Sequence, residues 1–260
     1  SFVPTAEPGN LAMSPRYGLH ADRYRRFRPS YPAWVFDKAV SACGEPHSLA
    51  LELGAGSGQA TPLILDRFSR VTAIEPDADM AALIPADPRL EVVVAPAETA
   101  PFPTGVDAAF SATAFHWMDA AVAGRRVAEA LRPGGVFLAF GYQPFETAGP
   151  AAVRRLFEAE MEVWAPLIHT RLSDWKPYPE LMAASGAFRD IEPFDFTMEE
   201  ARTPETAAGL LLTTSYGAEH GRRSGDEAAY GADLTARVAE AAAGEPVVMR
   251  FIVTGALGRV

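Results

Sequence analysis

Short apolar runs alternate with segments of helical periodicity along the first half of the chain. In chain order, the runs predict strands at 48–53, 70–74, 90–94, 106–111 and 135–141, and the segments between them predict helices at 58–68, 77–84 and 119–131. This alternation is typical of a parallel sheet with helices on both faces. We therefore expect an α/β fold over this part of the chain.

The second half of the chain has longer helical segments and only two further strand-like runs. The periodicity predicts helices at 151–164, 205–216 and 226–243, and strands at 188–196 and 247–254. The blocks before and between these late strands are expected to cover the carboxyl edge of the sheet, where open α/β folds bind their ligands.

The most informative segment is the loop that follows the first predicted strand. It reads Glu52-Leu53-Gly54-Ala55-Gly56-Ser57-Gly58, with glycines at alternate positions. Glycine permits a tight turn and lets a ligand approach the backbone closely. The second predicted strand ends in Glu75, whose carboxylate can accept hydrogen bonds from a ribose diol. These features predict a nucleoside-binding domain.

The spacing of the glycines narrows the choice of nucleoside. A dinucleotide fingerprint needs a glycine at the position of Gln59, and no Gly-Lys-Ser/Thr sequence of a P-loop follows. A nicotinamide oxidoreductase is therefore disfavoured. The loop instead resembles the first motif of the class I S-adenosylmethionine-dependent methyltransferases.

Three further segments carry the same resemblance in the same order. They are 96–102, the adenine-contacting loop of that family; 106–111 with 114–117, its fourth strand and the loop beyond; and 130–138, its Arg-Pro-Gly-Gly turn into the fifth strand. The resemblance covers residues 20–145. It is closest to the small-molecule branch that includes trans-aconitate methyltransferase, where Phe-His-Trp and Arg-Pro-x-Tyr-Pro recur.

This resemblance implies a fold and a domain organisation. The fold is a Rossmann-like, doubly wound sheet of seven strands, six parallel and the last antiparallel, with a mainly helical cap. In chain order we expect a flexible arm at 1–15, a cofactor-binding core with an N-terminal cover helix at 16–142, a cap insertion at 143–187, and the last two strands at 188–260 with a helical cap insertion at 197–244.

The resemblance also implies a set of contacts to S-adenosylmethionine. The set is Tyr24, Arg28, Glu52, Gly54, Ala55, Gly56, Gly58, Glu75, Pro76, Met80, Ala97, Glu98, Ser111 and Phe115. The amides of residues 54–58 are expected to serve the carboxylate or ribose side, Glu75 the ribose hydroxyls, and Glu52 the ammonium group.

Other members of this set have more than one reading. Tyr24 is expected near the sulfonium, where cation–π attraction is worth about 0.5–2 kcal/mol. Arg28 suits the methionine carboxylate or an acidic acceptor. Met80 suits the adenine face or a plain core role. The aspartate that many relatives use for the adenine amine is replaced by Pro96, so that contact is expected from Ala97 or Glu98.

The acceptor side of the site is expected beyond the fourth strand and in the cap. His116 is the candidate general base, because its ordinary pKa suits neutral pH; the alternative is that it only shapes the pocket. The predicted pocket residues are Tyr31, Trp117, Trp164, Trp175 and Tyr216, with His169 and Tyr178 as further aromatic candidates. A base is needed only if the acceptor must lose a proton.

Composition excludes several other classes of protein. The 260 residues carry a formal net charge of −10, and the basic pairs are scattered, which disfavours a nucleic-acid partner. Cys43 is the single cysteine, and the five histidines lack the paired spacing of a metal site. No apolar run reaches the roughly eighteen residues of a membrane span. We expect a cytoplasmic monomer or homodimer with a small-molecule substrate.

Several functions remain open from the sequence. The leading one is transfer of the methyl group of S-adenosylmethionine to a small organic acceptor, most simply at oxygen. The alternative is a methyltransferase-fold protein that binds S-adenosylmethionine but catalyses a cyclisation or rearrangement. An oxidoreductase is less well supported because Gln59 stands where the dinucleotide fingerprint needs a glycine. A non-catalytic regulatory protein is less well supported because the glycine loop and Glu75 are both present.

Overall fold

The computed structural model describes residues 21–142, 146–165 and 176–260. The predicted flexible arm at 1–15 lies outside these residues. In chain order the elements are α1 (Ala21–Phe27), α2 (Ala33–Cys43), β1 (Leu49–Leu53), α3 (Thr61–Leu65), β2 (Arg70–Ile74), α4 (Ala78–Ala81), β3 (Leu90–Val93), β4 (Val106–Ala112), a 3₁₀ turn (Phe115–Trp117), α5 (Ala120–Ala130) and β5 (Leu131–Tyr142).

The second half of the chain continues with β6 (Glu146–Gly149), α6 (Ala151–Trp164), α7 (Tyr178–Ala183), β7 (Arg189–Arg202), α8 (Pro204–Leu211), α9 (Ser215–Arg223), α10 (Glu227–Ala242) and β8 (Val247–Arg259). None of the helices in the described ranges is both long and apolar enough to cross a bilayer.

The strands of the described residues form one sheet in the order β3-β2-β1-β4-β5-β8-β6, and β7 also pairs with β8. The neighbours from β3 to β5 are parallel, whereas β8 is antiparallel to β5, β6 and β7. This confirms the predicted Rossmann-like α/β sheet with an antiparallel last strand. The short strand β6 is an addition to the seven strands that the sequence predicted.

The late strands are longer than predicted. β7 runs to Arg202, not to residue 196, and pairs with β8 along that length, so the helical insertion predicted at 197–244 begins only after a strand. β8 continues to Arg259, although Gly255 and Gly258 weaken its strand pattern. Gly255 is required there, because a Cβ would lie 2.4 Å from the Phe194 ring.

The helix predicted at 205–216 is divided in two. α8 ends at Leu211, and α9 begins at Ser215. Thr214 forms the N-cap of α9, since its hydroxyl accepts the N–H of Gly217 at 3.1 Å. A Cβ on Gly217 would lie 2.4 Å from the Leu211 carbonyl oxygen, so the tight turn between the helices needs glycine there.

Three apolar clusters surround the sheet and the cap. Helices α2 and α3 pack on one face of the sheet, and α5 and α7 pack on the other. A third cluster joins α6, α8 and α10 to the start of β8. We call α6, α8, α9 and α10 the cap. α7 falls in the cap insertion predicted at 143–187, but its Tyr178 and Met182 belong to the core of the sheet.

Helix α1 connects the core with the cap. At one side, Arg25 donates to the carbonyl oxygen of Leu83, beyond α4, at 3.4 Å. At the other, the Phe27 ring lies flat on Gly209 of α8, where a Cβ would be 2.6 Å from the ring atoms. Arg202 fixes the end of α1 by donating to the Phe27 carbonyl oxygen at 2.7 Å. α1 therefore spans the two regions that border the carboxyl edge of the sheet.

Candidate active site

The glycine loop leaves β1 and turns back against the end of β2. The N–H groups of Gly54 and Ala55 both donate to the carbonyl oxygen of Ile74, at 2.8 and 3.1 Å. Gly54 has a φ of +66°, and a Cβ there would lie 2.4 Å from Cβ of Ala114. The loop is therefore held between β2 and the segment that follows β4, and no larger residue fits at its first position.

Glu75 lies opposite this loop at the carboxyl end of β2. Its Oε2 accepts the N–H of Gly56 at 2.8 Å, and its Oε1 accepts the N–H of Asp77 at 2.9 Å. Burial raises the pKa of this carboxyl, and the two backbone donors oppose that effect. The carboxyl group is thus fixed in orientation, and each oxygen retains a lone pair that can accept a ligand hydroxyl.

The amides of the loop donate to acceptors within the protein. The N–H groups of Gly54, Ala55 and Gly56 serve Ile74 and Glu75, and that of Gly58 donates to the Ala55 carbonyl at 3.0 Å. These four amides therefore have partners within the protein, and their contacts to a ligand stay a prediction. Their hydrogen bonds define the shape of the loop.

Two side chains of the same loop have unused polar atoms. Within the described residues, Ser57 Oγ and Gln59 Nε2 are buried and have no hydrogen-bond partner. Buried polar atoms in native proteins nearly always have a partner. Neither side chain was among the predicted contacts, because the glycine pattern carries no information about Ser57 or Gln59.

Glu52 lies at the end of β1, below the loop, and is 1% exposed. Its Oε2 accepts the hydroxyl of Thr61 at 2.7 Å. Burial raises the pKa of Glu52 to about 8, the Thr61 bond lowers it, and the charge of Glu75 raises it further. Glu52 is therefore mostly protonated at neutral pH, and its observed partner is Thr61. The predicted contact to an ammonium group is not part of this arrangement.

The residues expected around adenine lie at the same edge of the sheet. Met80 is buried, and its Cε lies 3.5 Å from where a Cβ of Gly56 would be. The Ala97 carbonyl accepts from Arg126 at 3.0 Å. One oxygen of Glu98 accepts the N–H of Asp119 at 2.8 Å, which ties this loop to the start of α5. Pro76 is exposed.

Two predicted cofactor contacts are enclosed by the protein. Ser111 donates its hydroxyl to the Leu53 carbonyl at 3.1 Å and joins β4 to β1. Phe115 packs edge-on against Phe137, with ring centroids 5.0 Å apart. Both side chains are fully buried and support the strands that carry the site. Their contact to the cofactor stays a prediction.

Arg28 follows α1 and reaches both the sheet and the cap. Its Nη2 donates to the Thr213 carbonyl at 2.9 Å, and its Nη1 donates to the Tyr142 hydroxyl at 3.4 Å. Its guanidinium also lies 5.7 Å from the centre of the Tyr142 ring. The sequence singled out Arg28 but not its partners, which come from β5 and from the cap, 114 and 185 residues away.

Tyr31 is anchored to the end of β4 through Thr113. The Tyr31 hydroxyl lies 3.0 Å from Thr113 Oγ1. Thr113 has a φ of +56° and donates its N–H to the Phe140 carbonyl at 2.6 Å. A β-branched residue in the left-handed region is strained by about 1–3 kcal/mol, and such residues cluster at functional sites. No sequence pattern reveals this conformation, so Thr113 was not predicted.

His116 lies in the 3₁₀ turn beyond β4. Its Nδ1 is 3.2 Å from the hydroxyl of Tyr178, and its ring centre is 5.2 Å from the Trp117 ring. Burial, and then the positive charge of Arg28, lower the pKa of His116 to about 4. The imidazole is therefore neutral at pH 7, but it is a weaker base than the sequence suggested.

The residues predicted to line the aromatic pocket lie in different surroundings. Trp164 is fully buried in the cap, with its ring 6.0 Å from Tyr216 and 6.1 Å from His220, and its role in the acceptor pocket stays a prediction. Burial raises the pKa of Tyr216, and the charge of Arg28 opposes that rise, so Tyr216 borders the Arg28 region. His169, Trp175 and the side chain of Tyr24 lie outside the described residues.

Comparison with known sequences identifies the central part of the chain. Residues 51–139 match the sequence model of the methyltransferase domain family. This segment contains the glycine loop, Glu75, β4 and most of β5. Over this segment, about a third of the chain, the sequence is similar to methyltransferase domains.

Known proteins resemble the chain over different lengths. An uncharacterized methyltransferase of Mycobacterium tuberculosis is 37% identical over 125 residues, 47% of this chain and 50% of the relative. A candidate methyltransferase of Dictyostelium discoideum is 30% identical over 136 residues, 52% of each protein. The chain thus spans about half the length of these curated relatives. A solved structure from Anaeromyxobacter dehalogenans, named as a candidate type II methyltransferase, is 28% identical with a TM-score of 0.67, and the match covers 90% of this chain and 98% of that one.

Proposed function

We propose that this protein transfers the methyl group of S-adenosylmethionine to a small organic acceptor, most simply at oxygen. The observation that carries the proposal is the glycine loop with its hydrogen bond from Gly56 to Glu75, at 2.8 Å. This arrangement holds an acidic acceptor opposite Gly56, which has no side chain, and this suits a ribose. The methyltransferase domain match over residues 51–139 supports the same conclusion.

The proposed cofactor site has separate groups for the ribose, the adenine and the methionine end of the cofactor. Glu75 accepts the ribose hydroxyls, and Met80, Ala97 and Glu98 lie on the adenine side. Ser57 and Gln59, whose buried polar atoms have no partner among the described residues, would contact the ligand directly. We keep Arg28 and Tyr24 as the proposed contacts at the methionine end.

When bound, S-adenosylmethionine supplies an electrophilic methyl carbon on a cationic sulfur. The protein's contribution is then to align an acceptor and to exclude water, which together account for most of the acceleration of such a displacement. α1 suits the second task, because it contacts Leu83 beyond α4 on one side and Gly209 of the cap on the other. Tyr31, Trp117 and Tyr216 are the proposed walls of the acceptor pocket.

The acceptor and the wider context remain predictions from the sequence. The trans-aconitate-like branch, oxygen as the methylated atom, and a monomer or homodimer without a nucleic-acid partner all belong to this group. The low pKa of His116, near 4, favours acceptors that need little help in losing a proton.

The direct test is a methyl-transfer assay. The purified chain is incubated with S-adenosylmethionine and separate pools of small carboxylic acids, phenols, alcohols and amines. Mass spectrometry then follows S-adenosylhomocysteine and the methylated product. Formation of both in equal amounts, and its loss in Glu75→Ala, supports the proposal. A product that forms without consumption of the methyl group favours a cyclisation or rearrangement instead.

A further inference from the structure

His116 and Tyr178 meet beside the last residues of β5, although 62 residues separate them in the chain. His116 follows β4, and Tyr178 is the first residue of α7. The Tyr178 hydroxyl lies 3.2 Å from Nδ1 of His116. The two rings are nearly perpendicular, with centroids 6.3 Å apart, so the contact is made by the hydroxyl and not by stacking.

The hydroxyl of Tyr178 has almost no freedom to move. Tyr178 is 2% exposed. A Cβ added to Gly141 would lie 2.3 Å from its hydroxyl oxygen and 3.2 Å from Cζ, so the phenol occupies the space that glycine leaves on β5. Met182, one turn later in α7, is also fully buried in the same cluster. The packing therefore holds the hydroxyl in one position beside the imidazole of His116.

The chemistry of the two groups decides the direction of the hydrogen bond. A phenol is a much stronger acid than a neutral imidazole N–H, and an imidazole nitrogen is a much stronger acceptor than a phenol oxygen. The favourable arrangement therefore has Tyr178 O–H donating to Nδ1. A neutral imidazole with Nδ1 as acceptor carries its proton on Nε2.

The neighbours of His116 keep the ring neutral in this arrangement. The guanidinium of Arg28 is the charged group that acts on it, and a cation opposes the formation of an imidazolium. Trp117 adjoins the ring as an uncharged neighbour. Burial acts in the same direction as Arg28 and lowers the pKa of His116 to about 4.

We propose that Tyr178 is a positioning residue that holds His116 in the Nε2–H tautomer, so that His116 offers the acceptor molecule a hydrogen-bond donor and not a proton-accepting base. This inference rests on the proposed function, because it assigns a role to His116 in the same proposed site. It differs from the prediction of a general base after β4 and agrees with the alternative prediction that His116 shapes the pocket.

The test uses nuclear magnetic resonance on the full chain with ¹⁵N-labelled histidine. Long-range ¹H–¹⁵N correlations distinguish a protonated from an unprotonated ring nitrogen, and His116→Gln assigns the signal by its loss. At about pH 7 we expect an unprotonated Nδ1 and a protonated Nε2. A protonated Nδ1, alone or in an imidazolium, would overturn the proposal.

Two variants test whether the Tyr178 hydroxyl fixes the tautomer of His116. Tyr178→Phe removes only the hydroxyl, and we expect His116 to lose its single tautomer and populate both. Tyr230→Phe is the matched control, because its hydroxyl donates to Glu160 at 2.6 Å within the cap. An unchanged tautomer in Tyr178→Phe, or the same change in the control, would count against the proposal.

A further measurement covers the case in which Tyr178→Phe does not fold. Incorporation of 3-fluorotyrosine makes the phenol more acidic without removing it, and should shift the Nδ1 signal of His116 because the donated bond strengthens. No shift would contradict the proposal. These signals are read without cofactor or acceptor, so a wrong tautomer and a failed methyl-transfer assay are separate outcomes.

Discussion

The N–H of Gly56 and Oε2 of Glu75 are 2.8 Å apart, and this bond joins the glycine loop of β1 to the end of β2. The second carboxylate oxygen accepts the N–H of Asp77 at 2.9 Å, so the whole group is oriented by the backbone. A ligand that binds here meets an acceptor whose direction is already set. Such preorganisation lowers the cost of binding.

The first prediction concerns this carboxylate. Glu75→Ala should weaken binding of S-adenosylmethionine by about 1–3 kcal/mol, roughly 5- to 150-fold in Kd, because a buried polar contact is lost. Isothermal titration calorimetry measures the change. Glu91→Ala, an exposed position on β3, is the matched control and should bind normally. Equal affinity in the two variants would disprove the ribose contact.

The second prediction concerns crowding at the loop. Gly54→Ala should abolish measurable cofactor binding, because its Cβ would lie 2.4 Å from Cβ of Ala114 at a φ of +66°. Gly105→Ala separates crowding from backbone strain. Gly105 has a φ of +75°, but nothing lies within 4 Å of its added Cβ. That control should lose about 1 kcal/mol of stability and keep its affinity; loss of binding in both variants would contradict the crowding argument.

The third prediction concerns pH and Glu52. Its pKa in the folded state is about 8, above its usual value of 4.5, because of burial. Between these two values the folded chain binds more protons than the unfolded chain, so stability should fall as the pH rises through this window. Glu75, whose pKa is also raised, adds to the same slope.

Glu52→Gln should therefore make the free energy of unfolding depend less on pH. Relative to the parent chain, the variant should gain stability at about pH 8 compared with about pH 5. Urea unfolding across this range measures it. Glu91→Gln serves as the exposed control and should leave the slope unchanged. A slope in Glu52→Gln as steep as that of the parent would rule out the assignment.

The fourth prediction concerns a residue that should affect the stability of the fold but not the affinity for the cofactor. Asp107 is buried at the amino end of β4, and its carboxylate accepts from Ser48 N at 2.8 Å, Leu49 N at 2.9 Å and Arg132 Nε at 2.6 Å. Asp107→Ala should destabilise the fold by about 3–5 kcal/mol, since it leaves these donors unpaired.

Because Asp107 lies at the edge of the sheet opposite the glycine loop, the folded variant should retain its cofactor affinity. Chemical unfolding and calorimetry below the transition measure the two quantities separately. Asp195→Ala, at an exposed position on β7, should change neither. A folded Asp107→Ala protein that binds S-adenosylmethionine poorly would show that the two edges are coupled.

The parts of the fold that were predictable are those set by local sequence. β1 and β2 are mainly apolar because parallel strands are buried on both faces, and both were placed within one residue. Glu75 and the glycines could be found for a similar reason, since their chemistry depends on position after a strand. The extension of β7 was missed because its pairing with β8 decides it, while its own residues are half exposed.

The parts of the site that were not predictable depend on distant contacts. The sequence alone could not show that the amides of Gly54 and Ala55 both donate to the Ile74 carbonyl on the neighbouring strand. Phe115 was predicted to contact the cofactor, and its packing against Phe137 of β5 could not be foreseen either. The strained Thr113 and the contact of Tyr178 with His116 likewise arise only when separate segments meet.

The most direct test of the whole account is a calorimetric titration of the purified chain with S-adenosylmethionine. We predict a saturable, single-site heat together with a rise in Tm, because a ligand that binds only the folded state stabilises it. Neither heat nor a shift in Tm at about 1 mM ligand, where even weak sites are occupied, would contradict the claim that the loop at residues 54–58 and Glu75 form a cofactor site.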